Sequence, residues 1–331
     1  MAKLIFPQNG YVFDTHTQIQ NEFIGIIERE GIDKALQWLR PLKDGSEYTY
    51  PESLTFVWED ASEEAVFELS KKEDFTDAAV VKTQKNSCTL TNLEIGTKYY
   101  WRVDGGQSNW FETKDNLFRF IRVDGLLNVR DVGGIALRQG MLYRGSELNG
   151  HFTITEAGKN TFINELKIKT ELDLRKPWLG LIDVCPAGEE VALVQLPYRP
   201  YKEVVFDEHK QGICRIMEFL SDETVYPVYM HCMGGADRTG MIAFYLRALA
   251  GEDIDSIHLD YEITGLSSYA LGAAEGADGF RSRYADYYVE FLDIMASYAP
   301  GKPIAEQVKA FLLSCGVTEA TIEKIMTILK K

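Results

Sequence analysis

What most constrains this chain is a change of periodicity near residue 115. Before it, short runs alternate apolar and polar residues at strand length; after it, apolar strand-like runs are separated by helix-length amphipathic segments. A period-two grammar followed by a βα grammar does not fit one set of layers around one core. At 331 residues the chain also exceeds what most single cores support. The expected fold class is therefore multidomain, with a β-sandwich over 1–115 and an α/β domain over 116–331.

In the first part, Leu54-Thr-Phe-Val-Trp58, Ala65-Val-Phe-Glu-Leu69 and Lys98-Tyr-Tyr-Trp-Arg-Val103 read as strands, the last rich in aromatics that suit a pleated surface. Asp104-Gly-Gly106 is a turn and Trp110-Phe-Glu-Thr113 closes the segment. Trp58, the run Leu93-Glu-Ile-Gly-Thr-Lys-Tyr99 and the terminal strand together resemble a fibronectin type III domain. That resemblance implies a non-enzymatic module that binds a protein partner or props its neighbour. Upstream, Thr17–Leu39 is interrupted at Gly31-Ile-Asp33, which predicts two short amphipathic helices lying on the sandwich or at the junction.

Composition excludes several classes of function. The net charge of −15 is spread over both parts, with no basic run of the kind that follows nucleic acid or anionic lipid. No stretch approaches the roughly eighteen apolar residues of a membrane span. Met1-Ala-Lys-Leu-Ile-Phe-Pro7 is broken too early by proline to be a secretion signal. A cytoplasmic location is the expectation, although a leader removed before this start would leave the same sequence. Five cysteines, with no Cys-x-x-Cys pair, argue against a disulfide framework and a zinc site. No metal or cofactor is implied.

In the second part, Thr170–Leu174, Val191–Leu196 and Tyr226–Met230 read as buried strands, and Gly212–Leu220, Thr239–Ala250, Ile304–Leu313 and Thr318–Lys330 as helices. Between the third strand and the strongly apolar helix lies His231-Cys-Met-Gly-Gly-Ala-Asp-Arg-Thr-Gly240. Each part of this run has a use. Gly234 and Gly235 permit a tight path in which the amides of Met233, Gly234, Gly235, Ala236, Asp237 and Arg238 surround an oxyanion. The helix that follows directs its N-terminal dipole to the same place. Cys232 at the base feels both fields, which favours its thiolate. Arg238, separated from it by five residues, can fork two phosphate oxygens, and the Thr239 hydroxyl can bond the sulfur. His231 is expected to orient the loop through a ring hydrogen bond.

This run resembles the signature loop of protein-tyrosine phosphatases, in particular a bacterial branch that also accepts phosphoserine, phosphothreonine and phosphoinositides. The likeness continues in Leu127-Asn-Val-Arg-Asp-Val-Gly-Gly134, in Leu142-Tyr-Arg-Gly-Ser-Glu-Leu148 with glycine in place of serine at 145, in Leu172-Asp-Leu-Arg175, in Asp260-Tyr261 and in the helix start at Gly316–Ile322. It implies a protein-tyrosine-phosphatase-like fold and a phosphoric monoester hydrolase that works through a phosphocysteine, with phosphorylated proteins or small phosphomonoesters as partners.

Two departures stand out. Relatives carry an aspartate general acid just after a Leu-Pro run; in Leu196-Pro-Tyr-Arg-Pro200 that position is Pro200. Asp237, Asp207 and Glu203 are the replacement candidates, with Asp237 favoured because the motif fixes its place. Ala236 stands where phosphoinositide-active relatives often have lysine, which points to phosphotyrosine or another aryl phosphate. Arg130 and Asp131 either order the loop from beneath or form a buried ion pair; Arg144 and Arg175 read as structural. Gly265–Gly279 reads as a lid or a plain linker, and Tyr284, Tyr287 and Tyr288 as core or groove lining. The competing functions are a weakly active module that binds phosphorylated partners and a sulfur-transfer enzyme. Oligomeric state is open.

Overall fold

A computed structural model describes residues 2–42, 44–175, 183–268 and 287–331. The chain forms two compact units, one from residues 1–17 and 51–121, the other from 18–50 and 122–331. This division differs from the 1–115/116–331 boundary in one important respect. The predicted helical pair does not join the strand-rich unit; it folds with the α/β unit.

The first unit holds β1 (Lys3–Phe6), β2 (Tyr11–Phe13), β3 (Leu54–Glu59), β4 (Ala65–Ser70), β5 (Ala79–Thr83), β6 (Ser87–Leu90), β7 (Lys98–Val103), β8 (Asn109–Thr113) and the short β9 (Arg119–Phe120). One sheet runs β1-β3-β6 and the other β2-β8-β7-β4-β5. Alternation explains their shared core: Leu54, Phe56 and Trp58 of β3 point inward, as do Ala65, Phe67 and Leu69 of β4 and Tyr99, Trp101 and Val103 of β7. Their rings meet at an angle, Phe56 lying 5.2 Å from Trp101 and 5.5 Å from Phe111 between centroids. At the corner before β7, the Tyr99 hydroxyl accepts the Glu94 N–H at 3.0 Å.

In the second unit, α1 (Gln18–Glu30) and α2 (Ile32–Leu39) meet at Gly31, whose φ of +89° suits glycine. Its sheet contains β10 (Arg130–Asp131), β11 (Leu142–Gly145), β12 (Thr170–Asp173), β13 (Ala192–Gln195) and β14 (Val228–His231). The order is β13-β12-β14-β11-β10, with β12, β13, β14 and β11 parallel and β10 antiparallel to β11. Buried throughout, β14 is apolar from Val228 to Met230, as central parallel strands are, and ends on His231.

Around the sheet lie α3 (Glu156–Asn160), α4 (Asp207–Leu220), α5 (Asp237–Ala250), α6 (Ile254–Glu262), α7 (Tyr287–Tyr298), α8 (Ile304–Ser314) and α9 (Glu319–Leu329). Helix α5 is buried from Thr239 to Ala248 and ends where Gly251 turns left-handed at φ +89°. No helix among the described residues is long and apolar enough to cross a membrane. The central strand β14 runs straight into Cys232, so the candidate loop lies beyond the carboxyl ends of parallel strands, where open α/β sheets place their ligands.

Candidate active site

Residues 232–236 connect β14 to α5, and each successive carbonyl is held from outside. Met233 O accepts the Glu147 N–H at 2.9 Å, and Gly234 O accepts Asn128 Nδ2 at 2.9 Å. Gly235 O and Ala236 O both accept from Arg144 Nη2, at 2.8 and 3.2 Å. Carbonyls engaged this way leave the N–H groups of the same peptide units available to turn to the other side of the loop, as in backbone nests that hold anions. Glycine is required at 235: φ is +68°, and a Cβ there would stand 2.3 Å from the Gly145 carbonyl oxygen.

Gly145 itself is a departure from the resembling family, and the structure accounts for it. A Cβ at 145 would lie 2.3 Å from Tyr229 Oη and 2.9 Å from Val129 Cγ2. The Tyr229 hydroxyl occupies that space because it donates to Ser146 O at 2.8 Å.

Cys232 is 2% exposed. Burial pushes its thiol up, but the Arg238 guanidinium and the hydroxyl and amide of Thr239 outweigh burial and the opposing Asp237 carboxylate, so its pKa lies below the ordinary thiol value. The Thr239 hydroxyl is buried and has no other partner among the described residues. The remaining four cysteines all move the other way: burial raises Cys88, Cys185 and Cys214, and takes Cys315 to about 12. One thiol in five is thus activated.

His231, fully buried, reaches Cys232 O through Nδ1 at 3.0 Å and Glu171 Oε1 through Nε2 at 2.8 Å. Burial would depress its pKa; the Glu171 hydrogen bond and charge reverse this and raise it. An acceptor thus stands at each ring nitrogen, one of them the backbone carbonyl at the base of the loop.

Beneath the loop, Asp260 gathers three buried arginines: Arg130 at 3.0 Å, Arg144 at 2.7 Å and Arg247 at 3.7 Å. Arg130 therefore finds its ion pair in Asp260 and also reaches Asn128 Oδ1 at 2.5 Å. Asp131 accepts the amides of Gly133 and Gly140, at 2.8 and 2.6 Å, which ties the turn after β10. Of the two readings of Arg130, loop support and ion pairing are both present in one network. Arg175 is engaged by Asp173 and Glu147, at 2.8 and 2.6 Å.

Above the loop, a cavity of about 470 Å³ is lined by Tyr198, Arg199, Pro200, Tyr201, Glu203, Asp237 and Arg238. Arg238 reaches Leu174 O at 3.3 Å through Nη1. The Tyr201 hydroxyl donates to Asp237 Oδ1 and contacts the Tyr261 hydroxyl. Glu203 is bridged to Arg199 at 3.0 Å. Asp207 opens α4, exposed, and does not line this cavity. The ring of Tyr201 lies 5.8 Å from that of Tyr287, and buried Tyr288 stacks on Tyr261 at 4.3 Å. Tyr284 and residues 269–279 of the glycine-rich stretch lie outside the described residues.

A sequence model of a tyrosine phosphatase family matches residues 121–330, which includes the loop, its supports and the cavity. The chain belongs to the tyrosine phosphatase family. It is a phosphatase by that membership. Among solved structures, it is similar to the core catalytic domain of the PP-IP phosphatase SIW14 from S. cerevisiae, at 16% identity over 49% of this chain and 90% of that one, with a TM-score of 0.30. It is also similar to TpbA of P. aeruginosa, at 23% identity over 44% of this chain and 88% of that one, with a TM-score of 0.29. No curated protein sequence matches the chain.

Sequence reasoning missed Glu171, Tyr201, Arg247 and the role of Asp260. Tyr201 had a signal: it directly follows Pro200, the position where relatives carry their acid.

Proposed function

We propose that this phosphatase hydrolyses aryl phosphomonoesters, phosphotyrosine above all, through a phosphocysteine on Cys232. The observation that carries the reading is the opposite shift of Cys232 from every other cysteine, at the base of a loop whose carbonyls face away. The Cys232 thiolate attacks phosphorus, forming the S–P bond as the ester P–O bond breaks. Arg238 and the amides of Met233–Arg238 hold the equatorial oxygens, whose charge grows in the transition state. Asp237 delivers the proton to the leaving oxygen, and Tyr201 fixes the carboxylate at the cavity wall. Water then attacks phosphorus, Asp237 takes its proton, and inorganic phosphate leaves with Cys232 restored as thiolate. Glu203 lines the same cavity but is engaged with Arg199, and Asp207 stands outside; both support Asp237.

Ala236 and the net charge of −15 support a single phosphate over a polyanionic lipid head group. Acid-quenched turnover of a phosphotyrosyl peptide should leave phosphate on the Cys232 peptide, read by mass spectrometry. Turnover surviving in Cys232→Ser would sink the mechanism, and a phosphoinositide hydrolysed faster than the peptide would sink the substrate class.

For the strand-rich unit, a fibronectin type III-like module is the reading supported best. Its strand orders, β1-β3-β6 and β8-β7-β4-β5, are those of a Greek-key sandwich, and the Tyr99 hydroxyl bond to Glu94 N is a tyrosine corner. The role proposed for such a module is to bind a protein partner or to prop its neighbour.

A further inference from the structure

Residues 18–50 precede the family match, which begins at 121, yet fold within the same compact unit as the loop. We propose that Glu47, in this arm, is a positioning residue for the phosphate loop, acting through Asn128. The proposal rests on the loop being the phosphate site.

Glu47 collects donors from three parts of the unit. Its Oε1 accepts the Asn128 N–H at 3.3 Å and the Thr49 hydroxyl. Its Oε2 accepts the Ser268 N–H at 2.8 Å and the hydroxyls of Ser267 and Ser268 at 3.1 and 2.8 Å. The arm is anchored so that this carboxylate cannot wander. Gln20, fully buried in α1, donates through Nε2 to Tyr48 O and Tyr50 O, both at 2.8 Å. The Tyr48 N–H donates to Leu266 O at 3.2 Å. Phe23 and Leu36 lie so close to Gly265 that a Cβ there would be 3.4 and 3.1 Å from them.

Asn128 is the relay. It is fully buried and left-handed at φ +56°, a conformation asparagine tolerates but does not prefer. Its amide bonds Glu47, its Oδ1 accepts from Arg130 at 2.5 Å and its Nδ2 donates to Gly234 O at 2.9 Å. Turning the Asn128 peptide would swing the carboxamide away from Gly234 and release one of the four carbonyls that set the inward direction of the loop amides. The sequence before residue 121 would thus act on phosphate binding without touching phosphate.

The test is calorimetric binding of orthovanadate to the full chain as wild type, Glu47→Ala, Asn128→Ala and the double variant. Glu47→Ala should weaken vanadate about tenfold, and the double variant should bind no more weakly than Asn128→Ala, because both changes break one path. A purely structural Glu47 would add its loss to that of Asn128→Ala. Vanadate affinity unchanged in Glu47→Ala, or strictly multiplicative losses, overturns the proposal. If Glu47→Ala does not fold, Glu47→Gln replaces it: the carboxamide puts a donor where carboxylate oxygens met only donors. A threefold or greater loss supports the role, and wild-type affinity refutes it. Wild-type protein that binds no vanadate refutes the phosphate-site reading instead.

Discussion

Replacing Asp260 by asparagine removes the carboxylate on which three buried guanidinium groups converge. Arg130, Arg144 and Arg247 lie 3.0, 2.7 and 3.7 Å from it and are at most 1% exposed. Burial alone would raise the Asp260 pKa, but the three cations hold it far below the usual carboxylate range. Removing one partner of a buried pair costs about 3–5 kcal/mol, because the remaining charge is left without compensation. Each kcal/mol moves the melting point of a unit of 150–250 residues by roughly 2–4 °C, so Asp260→Asn should lower it by about 6–20 °C. Arg247→Met should cost a comparable amount, because it strips the buried Glu252 carboxylate of the guanidinium that bridges it at 2.7 Å. The pH dependence has a definite sign. A carboxylate with a depressed folded pKa contributes its stability above the unfolded value, about 3.9, and loses it as pH falls toward the folded value. Calorimetric melting points of wild type and Asp260→Asn should therefore be well separated at neutral pH and converge below about pH 4. A separation under 2 °C at pH 7, or one that widens in acid, would refute the idea that this hub holds the site together.

For His231 the sign is opposite: Glu171 raises its folded pKa, so the stability it gains is full below the unfolded value, about 6.5, and fades as pH rises through the folded one. Glu171→Gln should consequently destabilise most at acidic pH, by about 1–3 kcal/mol, with the difference from wild type shrinking in alkali in urea titrations. Gly145→Ser, which installs the residue of the resembling family, forces a Cβ to within 2.3 Å of Tyr229 Oη. It should cost about 1–3 kcal/mol by overpacking, and Tyr229→Phe in the same chain should recover part of it; equal stability of Gly145→Ser and wild type would dismiss the steric account.

How much of this was legible in the sequence depends on whether a group's partners are its neighbours along the chain. Cys232, Arg238 and Thr239 are close in sequence, and the strand–loop–helix grammar that flanks them fixes their relative placement, so their gathering in one loop could be read directly. The supports of the same loop come from Asn128, Arg144, Glu147 and Glu171, and Asp260 draws its arginines from 130, 144 and 247. No local pattern encodes such convergence, because it is set by which strands lie side by side. The helical arm shows the same limit. Its amphipathic face announced that it would be covered, but not by what, and proximity in the chain to the strand-rich segment pointed to the wrong unit. The proton donor is the hardest case for a related reason. Pro200 emptied the expected position, and Tyr201, left-handed at φ +61°, turns its hydroxyl onto Asp237. A carboxylate from the loop itself then occupies the cavity wall that the loop after β13 would otherwise supply. If that exchange is what the sequence achieves, Asp237→Asn should slow alkyl phosphomonoesters at least ten times more than p-nitrophenyl phosphate, whose leaving group needs little protonation. Asp207→Asn should leave that ratio unchanged. Equal slowing of both substrates by Asp237→Asn would return the proton to another donor and leave Tyr201 a purely structural hydroxyl.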